Sequence, residues 1–297
     1  MNNYSLKFIW LCTILFPAFS SHSQEIEKHY KFYEVKSGKT VTPAEFAIAC
    51  YDANVIFFGE EHNDSAGHFL EAAILKALYK DYGDKVTLSL EMFETDCQLI
   101  LDEYLDGWIS EDRFIKEARA WSNYKDYRPC IEISKEYKLD VIAANTPRRY
   151  VNMVSRKGMK SLDSLSSAAK KFLPRLPYDT IGGKYREKFM DFMKGGSPGT
   201  ANPRIYYSQN LWDAGMASSI YKYYKENKRK KIFHLVGKFH SDEKLGTVSQ
   251  LLKLKPSLKV INISCFSEST FTDPDWTKFT HLGDYIILTD PDLKKTY

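Results

Sequence analysis

The stretch that decides the fold runs Val55-Ile56-Phe57-Phe58-Gly59-Glu60-Glu61-His62-Asn63-Asp64. Four apolar residues in a row predict a buried strand, because the run is too short for a helix. Gly59 reads as the point where the backbone turns. Two carboxylates, a histidine, an amide and a third carboxylate follow. Ser65 is then the candidate N-cap of a helix whose apolar stripe is Phe69, Leu70, Ala73, Ile74, Ala77 and Leu78. The polar cluster therefore stands at the C-terminal edge of a core strand, where open α/β sheets bind ligands. For one such loop alone, a capped turn with solvated charges is an equal reading.

The arrangement recurs along the chain. A second strand over 86–90 runs into Glu91, a third over 141–144 into Asn145 and Arg148, and a fourth over 231–236 into Gly237-Lys238-Phe239-His240. Residues 258–263 and 285–288 read as two further strands. Helical patterns fill 95–106, 110–120, 128–138, 204–226 and 245–252, with Asp213 interrupting the long fourth helix. Residues 25–52 look peripheral, with a short helix over 43–51. The aromatic and polar segment 120–128 precedes Pro129, which suits a first helical turn. Buried strands alternating with helices predict an α/β fold with a mostly parallel sheet flanked by helices. Parallel strands bring their C-terminal ends to one edge, so Glu60, His62, Glu91, Asn145, Arg148 and His240 are expected on one rim. Arg148 can fork onto a ligand carboxylate or pair with Glu60 or Glu91.

Residues 157–205 break the alternation. They hold Pro174, Pro177, Pro198, Pro203, Gly182, Gly183, Gly195, Gly196 and Gly199 among short helical pieces, with Tyr178 and Tyr185. This is read as a helical cap insertion over the sheet edge.

Residues 1–23 have the order of a secretory signal: Lys7, a short apolar run from Phe8 to Phe19, then Ser20, Ser21 and Ser23. Cys12 follows bulky Trp10 and Leu11, a poor lipoprotein cleavage site. Residues 24–297 then form one α/β domain with the cap, exported to the periplasm or cell envelope. The hydrophobic content of 43% excludes a disordered chain. The net charge of +4 falls to +3 without the signal, too mild to argue for nucleic acid. Cys50, Cys97, Cys130 and Cys265 match no zinc spacing. Buried free thiols and disulfides both remain open.

The motifs Gly59-Glu60-Glu61-His62, Leu90-Glu91-Met92, Asn145-Thr146-Pro147-Arg148, Gln209-Asn210-Leu211-Trp212-Asp213-Ala214-Gly215-Met216-Ala217 and Gly237-Lys238-Phe239-His240 resemble, in this order, those of ChaN-like proteins. These are iron-regulated, haem-binding bacterial lipoproteins grouped with the Tiki metalloproteases and the erythromycin esterases. The resemblance covers about residues 50–255 and implies an exported haem-binding protein of haem and iron uptake. It brings haem, a homodimer and an outer-membrane haem receptor as partners to consider.

Two function classes follow. A haem carrier needs an axial ligand, an apolar slot and cations for the propionates. The resemblance implies a tyrosine ligand; the cap offers Tyr178 and Tyr185, with Lys184 and Arg186 beside them and Asn145 and Arg148 on the rim. A hydrolase would use Glu60, His62, Glu91 and His240 as acid and base, or as ligands of a divalent metal.

Overall fold

The computed structural model describes residues 26–194 and 203–297. The signal expected over 1–23 and Gly195, Gly196, Pro198 and Gly199 of the expected cap lie outside them. The strands are β1 (Tyr30–Glu34), β2 (Lys39–Thr40), β3 (Val55–Glu60), β4 (Val86–Glu94), β5 (Asp140–Asn145), β6 (Lys231–Gly237), β7 (Val260–Ser267) and β8 (Tyr285–Thr289). They form one sheet in the order β2-β1-β8-β7-β3-β6-β4-β5. The six strands from β8 to β5 are parallel, and β1 and β2 add antiparallel pairs at one edge. The fold is thus α/β with a mostly parallel sheet flanked by helices.

The helices are α1 (Pro43–Ala49), α2 (Ser65–Tyr82), α3 (Gln98–Leu105), α4 (Glu111–Glu117), α5 (Tyr124–Tyr137), α6 (Arg148–Lys157), α7 (Ser167–Lys170), α8 (Gly183–Lys194), α9 (Pro203–Glu226) and α10 (Gly246–Leu254). β3 lies at the centre of the sheet, and every residue in it is buried. Its side chains alternate between two cores. Ile56 and Phe58 join Leu88, Leu90, Phe233 and Leu235 under α2 and α5, through Leu70, Ile74 and Ile131. Val55 and Phe57 join Ile232 and Val236 under α9 and α10, through Met216, Ile220 and Val248. A strand covered on both faces must be apolar at every position, which is why 55–58 reads as a continuous run. Each such side chain contributes about 1.5–3 kcal/mol of burial.

Several expectations need correction. Gly59 lies within β3, not at a turn. A Cβ there would meet Ser241 Oγ at 2.3 Å and the Lys238 Cα at 3.0 Å, so the glycine lets the segment after β6 press onto β3. Asp64, not Ser65, caps α2, its Oδ1 accepting the Ala66 N–H at 3.1 Å. Helix α5 begins at Tyr124, so Pro129 lies inside it rather than in its first turn. Residues 25–52 supply β1 and β2 besides a helix. The β1–β8 pairing joins strands about 250 residues apart in sequence, which no local pattern announces. The four cysteines of the described chain are buried free thiols.

The outer edge strand β5 is partly covered. The Gln98 side chain donates to Val141 O and accepts from Ala143 N, both at 2.8 Å, in the manner of a neighbouring strand. A cleft of about 1170 Å³ runs along this edge between α3 and α9, away from the rim. No helix among the described residues is long and apolar enough to cross a membrane.

Candidate functional site

The rim is built by the ends of β3, β4 and β6 and by two helices. β3 delivers Glu60 and, two residues on, His62. His62 Nδ1 lies 2.7 Å from Glu60 Oε1. A carboxylate only accepts, so Nδ1 carries the hydrogen, and in the neutral ring Nε2 keeps its lone pair. The Tyr127 hydroxyl of α5 donates to the same oxygen at 2.7 Å. Trp121 sets its ring edge-on to His62 at 5.3 Å, and Asn123 donates to the His62 carbonyl at 3.2 Å. The aromatic segment 120–127 therefore walls one side of the site.

A second carboxylate–histidine pair stands opposite. His240 follows β6, and its Nδ1 lies 2.7 Å from Asp213 Oδ1 of α9. Asp213 is completely buried and also accepts from Thr247 at 2.9 Å and from the Tyr185 hydroxyl at 2.6 Å. Between the two pairs lies Glu91. A register shift after Leu90 releases β4 from β5, and Glu91 Oε2 then accepts the Gly237 N–H at 2.7 Å. Its other oxygen is 3.7 Å from His240 Nε2. A Cβ on Gly237 would lie 2.8 Å from His62 Nε2 and 3.6 Å from Glu91 Oε2, so this glycine leaves room for both side chains.

The charges follow the geometry. Burial works against the imidazolium of His62, but the Glu60 hydrogen bond and the fields of Glu91 and Glu60 outweigh it and raise its pKa. Burial also opposes His240 ionisation, and Asp213 and Glu91 overcome it to raise that pKa. Glu60 is held down at about 2: burial opposes ionisation, but hydrogen bonds from Glu71 and His62 and the nearby histidines prevail. His240 Nε2 lies 3.7 Å from Glu91, and His62 stands within its field, an arrangement that suits proton transfer at a bound molecule.

Other expected site residues lie elsewhere or are already engaged. Asn145 is buried, with its Oδ1 accepting the Thr146 N–H at 2.9 Å. Arg148 opens α6, is exposed, and makes no ion pair with Glu60 or Glu91 among the described residues. The first turn of α6 points it outward, and its neighbour Arg149 pairs with Asp96 instead. Tyr178 is buried with its hydroxyl donating to Tyr207 O at 2.8 Å. Tyr185 is completely buried against Asp213. Lys184 is exposed and pairs with Glu243. Beside it lies an aromatic and cationic patch. Phe192 of α8 is 70% exposed and 5.7 Å from Phe239, with Lys188 Nζ 5.1 Å from the Phe239 ring. Lys238 reaches over Phe266 at 4.4 Å.

Sequence reasoning missed Asp213 as a partner of His240, although it stood in a quoted motif as a carboxylate inside a helix. It also missed His68 and Glu71, which lie behind Glu60. Their signal was His-x-x-Glu, one helical turn apart on α2. The approach of the terminal segment to the rim was also invisible; Thr296 N donates to Asn63 O at 3.1 Å.

Among solved structures, a Campylobacter jejuni ChaN with cofacially bound haem superposes with a TM-score of 0.67 at 16% identity, over 89% of this chain and 98% of that one. An erythromycin esterase in its open conformation gives a TM-score of 0.47 at 12% identity, over 80% of this chain and 77% of that one. A Bacillus cereus protein gives a TM-score of 0.46 at 12% identity, over 84% and 76%. No curated protein matches the chain by sequence. The model of one family matches residues 47–251, which include every rim residue from Glu60 to His240. The chain therefore belongs to the haem-binding uptake family of the Tiki superfamily, ChaN.

Proposed function

We propose that this is an exported haem-binding protein that serves haem or iron uptake in the cell envelope. Family membership over 47–251 carries the reading. The chemistry of the surface fits the group in part. The exposed ring of Phe192 beside Phe239 offers an apolar face for a porphyrin, and Lys188 over Phe239 is a cation for its carboxylates, with Lys184 and Lys238 available by exchange from Glu243 and Asp242. Haem bound there would supply a ferric centre that takes an oxygen or nitrogen ligand. A cap tyrosine can be that ligand only by exchange. Tyr185 must leave Asp213, or Tyr178 must leave the Tyr207 carbonyl.

The test is a haemin titration of the parent and of Tyr178→Phe, Tyr185→Phe, Glu60→Ala and His62→Ala. The parent should show a Soret shift that saturates at stoichiometric haem. One tyrosine change should alter that band and weaken binding at least tenfold, about 1.4 kcal/mol. The two rim changes should leave the spectrum intact. Binding unaltered by both tyrosine changes, but lost in the rim variants, would move the ligand to the rim.

The paired geometry supports a second reading, hydrolysis. Two carboxylate-oriented histidines facing one carboxylate form an acid–base set. Turnover of a model ester by the parent, reduced about 10²–10⁴-fold in His240→Ala, is the outcome that reading requires.

A further inference from the structure

Behind the rim, away from the haem patch, lies a cluster of which the readings above use only Glu60, and only through its other oxygen. Glu60 of β3 and His68 and Glu71 of α2 place one donor atom each within 4.8 Å of one another. All three are sealed from solvent, with exposures of 2%, 6% and 0%.

The hydrogen bonding around His68 shows how the ring is set. Its Nε2 lies 3.0 Å from the His62 carbonyl. A carbonyl only accepts, so Nε2 carries the hydrogen. In the neutral ring, Nδ1 is then a lone pair. That lone pair faces Glu71 Oε2 at 3.1 Å and Glu60 Oε2 at 3.4 Å. Three electron-rich atoms thus converge in a dry interior, where their repulsion is screened little. Further, Glu60 Oε2 and Glu71 Oε1 are buried, and apart from a carboxyl proton on Glu71 itself no donor reaches them. Such atoms are costly unless something positive lies between them.

We propose that Glu60, His68 and Glu71 hold a divalent transition-metal ion beneath the rim. The donor set of one imidazole and two carboxylates suits manganese, iron or zinc. Metal–donor bonds of about 2.0–2.2 Å put two donors on one ion roughly 3.0–3.5 Å apart, the range in which His68 Nδ1 already lies from each carboxylate. A ligating histidine whose other nitrogen donates to a backbone carbonyl is the usual outer support of such sites. Here that support is the His62 carbonyl, and the Tyr127 ring packs edge-on to His68 at 5.0 Å. Glu60 would then join two levels, with Oε2 on the ion and Oε1 on His62 and Tyr127.

A proton shared between Glu60 and Glu71 is the competing way to relieve the same crowding, and one experiment separates the two. The full-length protein is stripped with a chelator and dialysed against manganese(II), iron(II) or zinc(II) in turn at about 100 μM. Bound metal is counted by mass spectrometry, and melting is followed with and without the ion. The parent should retain one ion per chain and melt higher with it. Glu71→Gln keeps the shape and hydrogen bonding of a protonated carboxyl, so it should stay folded, bind at least tenfold more weakly and lose the metal-dependent shift. His68→Gln should behave likewise, while His240→Ala should keep the ion. A parent that takes up none of the three ions overturns the proposal in favour of the shared proton. Retention in Glu71→Gln with loss in His240→Ala overturns it in favour of a metal among the rim groups. None of these readouts depends on whether the protein binds haem.

Discussion

Gly237 shows how closely single residues set the site. Its φ of −56° and ψ of 133° suit any L-residue, so alanine there meets no backbone strain. Taken alone, that change would stabilise by about 0.4–1 kcal/mol through the unfolded state. The added Cβ, however, falls 2.8 Å from His62 Nε2. Gly237→Ala should therefore destabilise by about 1–3 kcal/mol, the usual cost of overpacking. It should also displace His62 from Glu60. Denaturant unfolding gives the sign, and the His62 proton shifts by NMR report the displacement; a stabilised variant would show that the ring has room to yield. Gly59 acts in the same way from the other side of the rim, through contact with Ser241 and Lys238. Both glycines are needed for close approach, and a sequence shows only that they are glycines.

Among the elements, β6 is the most unusual because a histidine lies in its middle. His234 is completely buried, with Nδ1 2.9 Å from Ser89 Oγ of β4 and Nε2 unpaired. Burial lowers its pKa from 6.5 to about 3, against the opposing hydrogen bond with Ser89. A depressed folded-state value means the neutral form is favoured in the native sheet. Its contribution is complete above the unfolded pKa near 6.5 and is lost as pH falls towards 3. At pH 4.5 the loss should amount to about 2–3 kcal/mol. Unfolding free energies of the parent and His234→Gln, measured from pH 7 to 4.5, should differ in slope by that amount. Parallel curves would mean that the ring is protonated without cost. The strand pattern itself was plain in the sequence, since 231–236 is apolar around the histidine. Its neighbour was not, because β6 pairs with β3 and β4, which precede it by more than 130 residues.

For the whole molecule, the contrast is between a doubly covered sheet and the exposed aromatic patch around Phe192. Phe192 contributes almost nothing to the core, being 70% exposed. Phe192→Ser should leave stability within about 0.5 kcal/mol. It should nevertheless weaken haem binding about tenfold, or 1.4 kcal/mol, if the porphyrin lies on this face. Paired melting and haemin titration check both halves of that expectation. An unchanged affinity would place the porphyrin elsewhere on the surface.

What the sequence determined by itself was periodic or contiguous. Runs such as 55–58 and 141–144 announced buried strands, because covering both faces forces every position to be apolar. Their alternation with helices set a parallel sheet, and a parallel sheet gathers its C-terminal ends. The sequence alone therefore places Glu60, His62, Glu91 and His240 on one edge. The tertiary structure alone decided who touches whom there. Asp213 reaches His240 across 27 residues, Tyr185 is buried on Asp213 rather than left open, and Arg148 turns away from the carboxylates. The antiparallel strand β1 joined the sheet through β8, near the other end of the chain. The physical reason is the same in each case. Periodicity reports which face of an element is buried, but side-chain partners depend on how elements distant in sequence are packed, and that is settled only when the whole core closes.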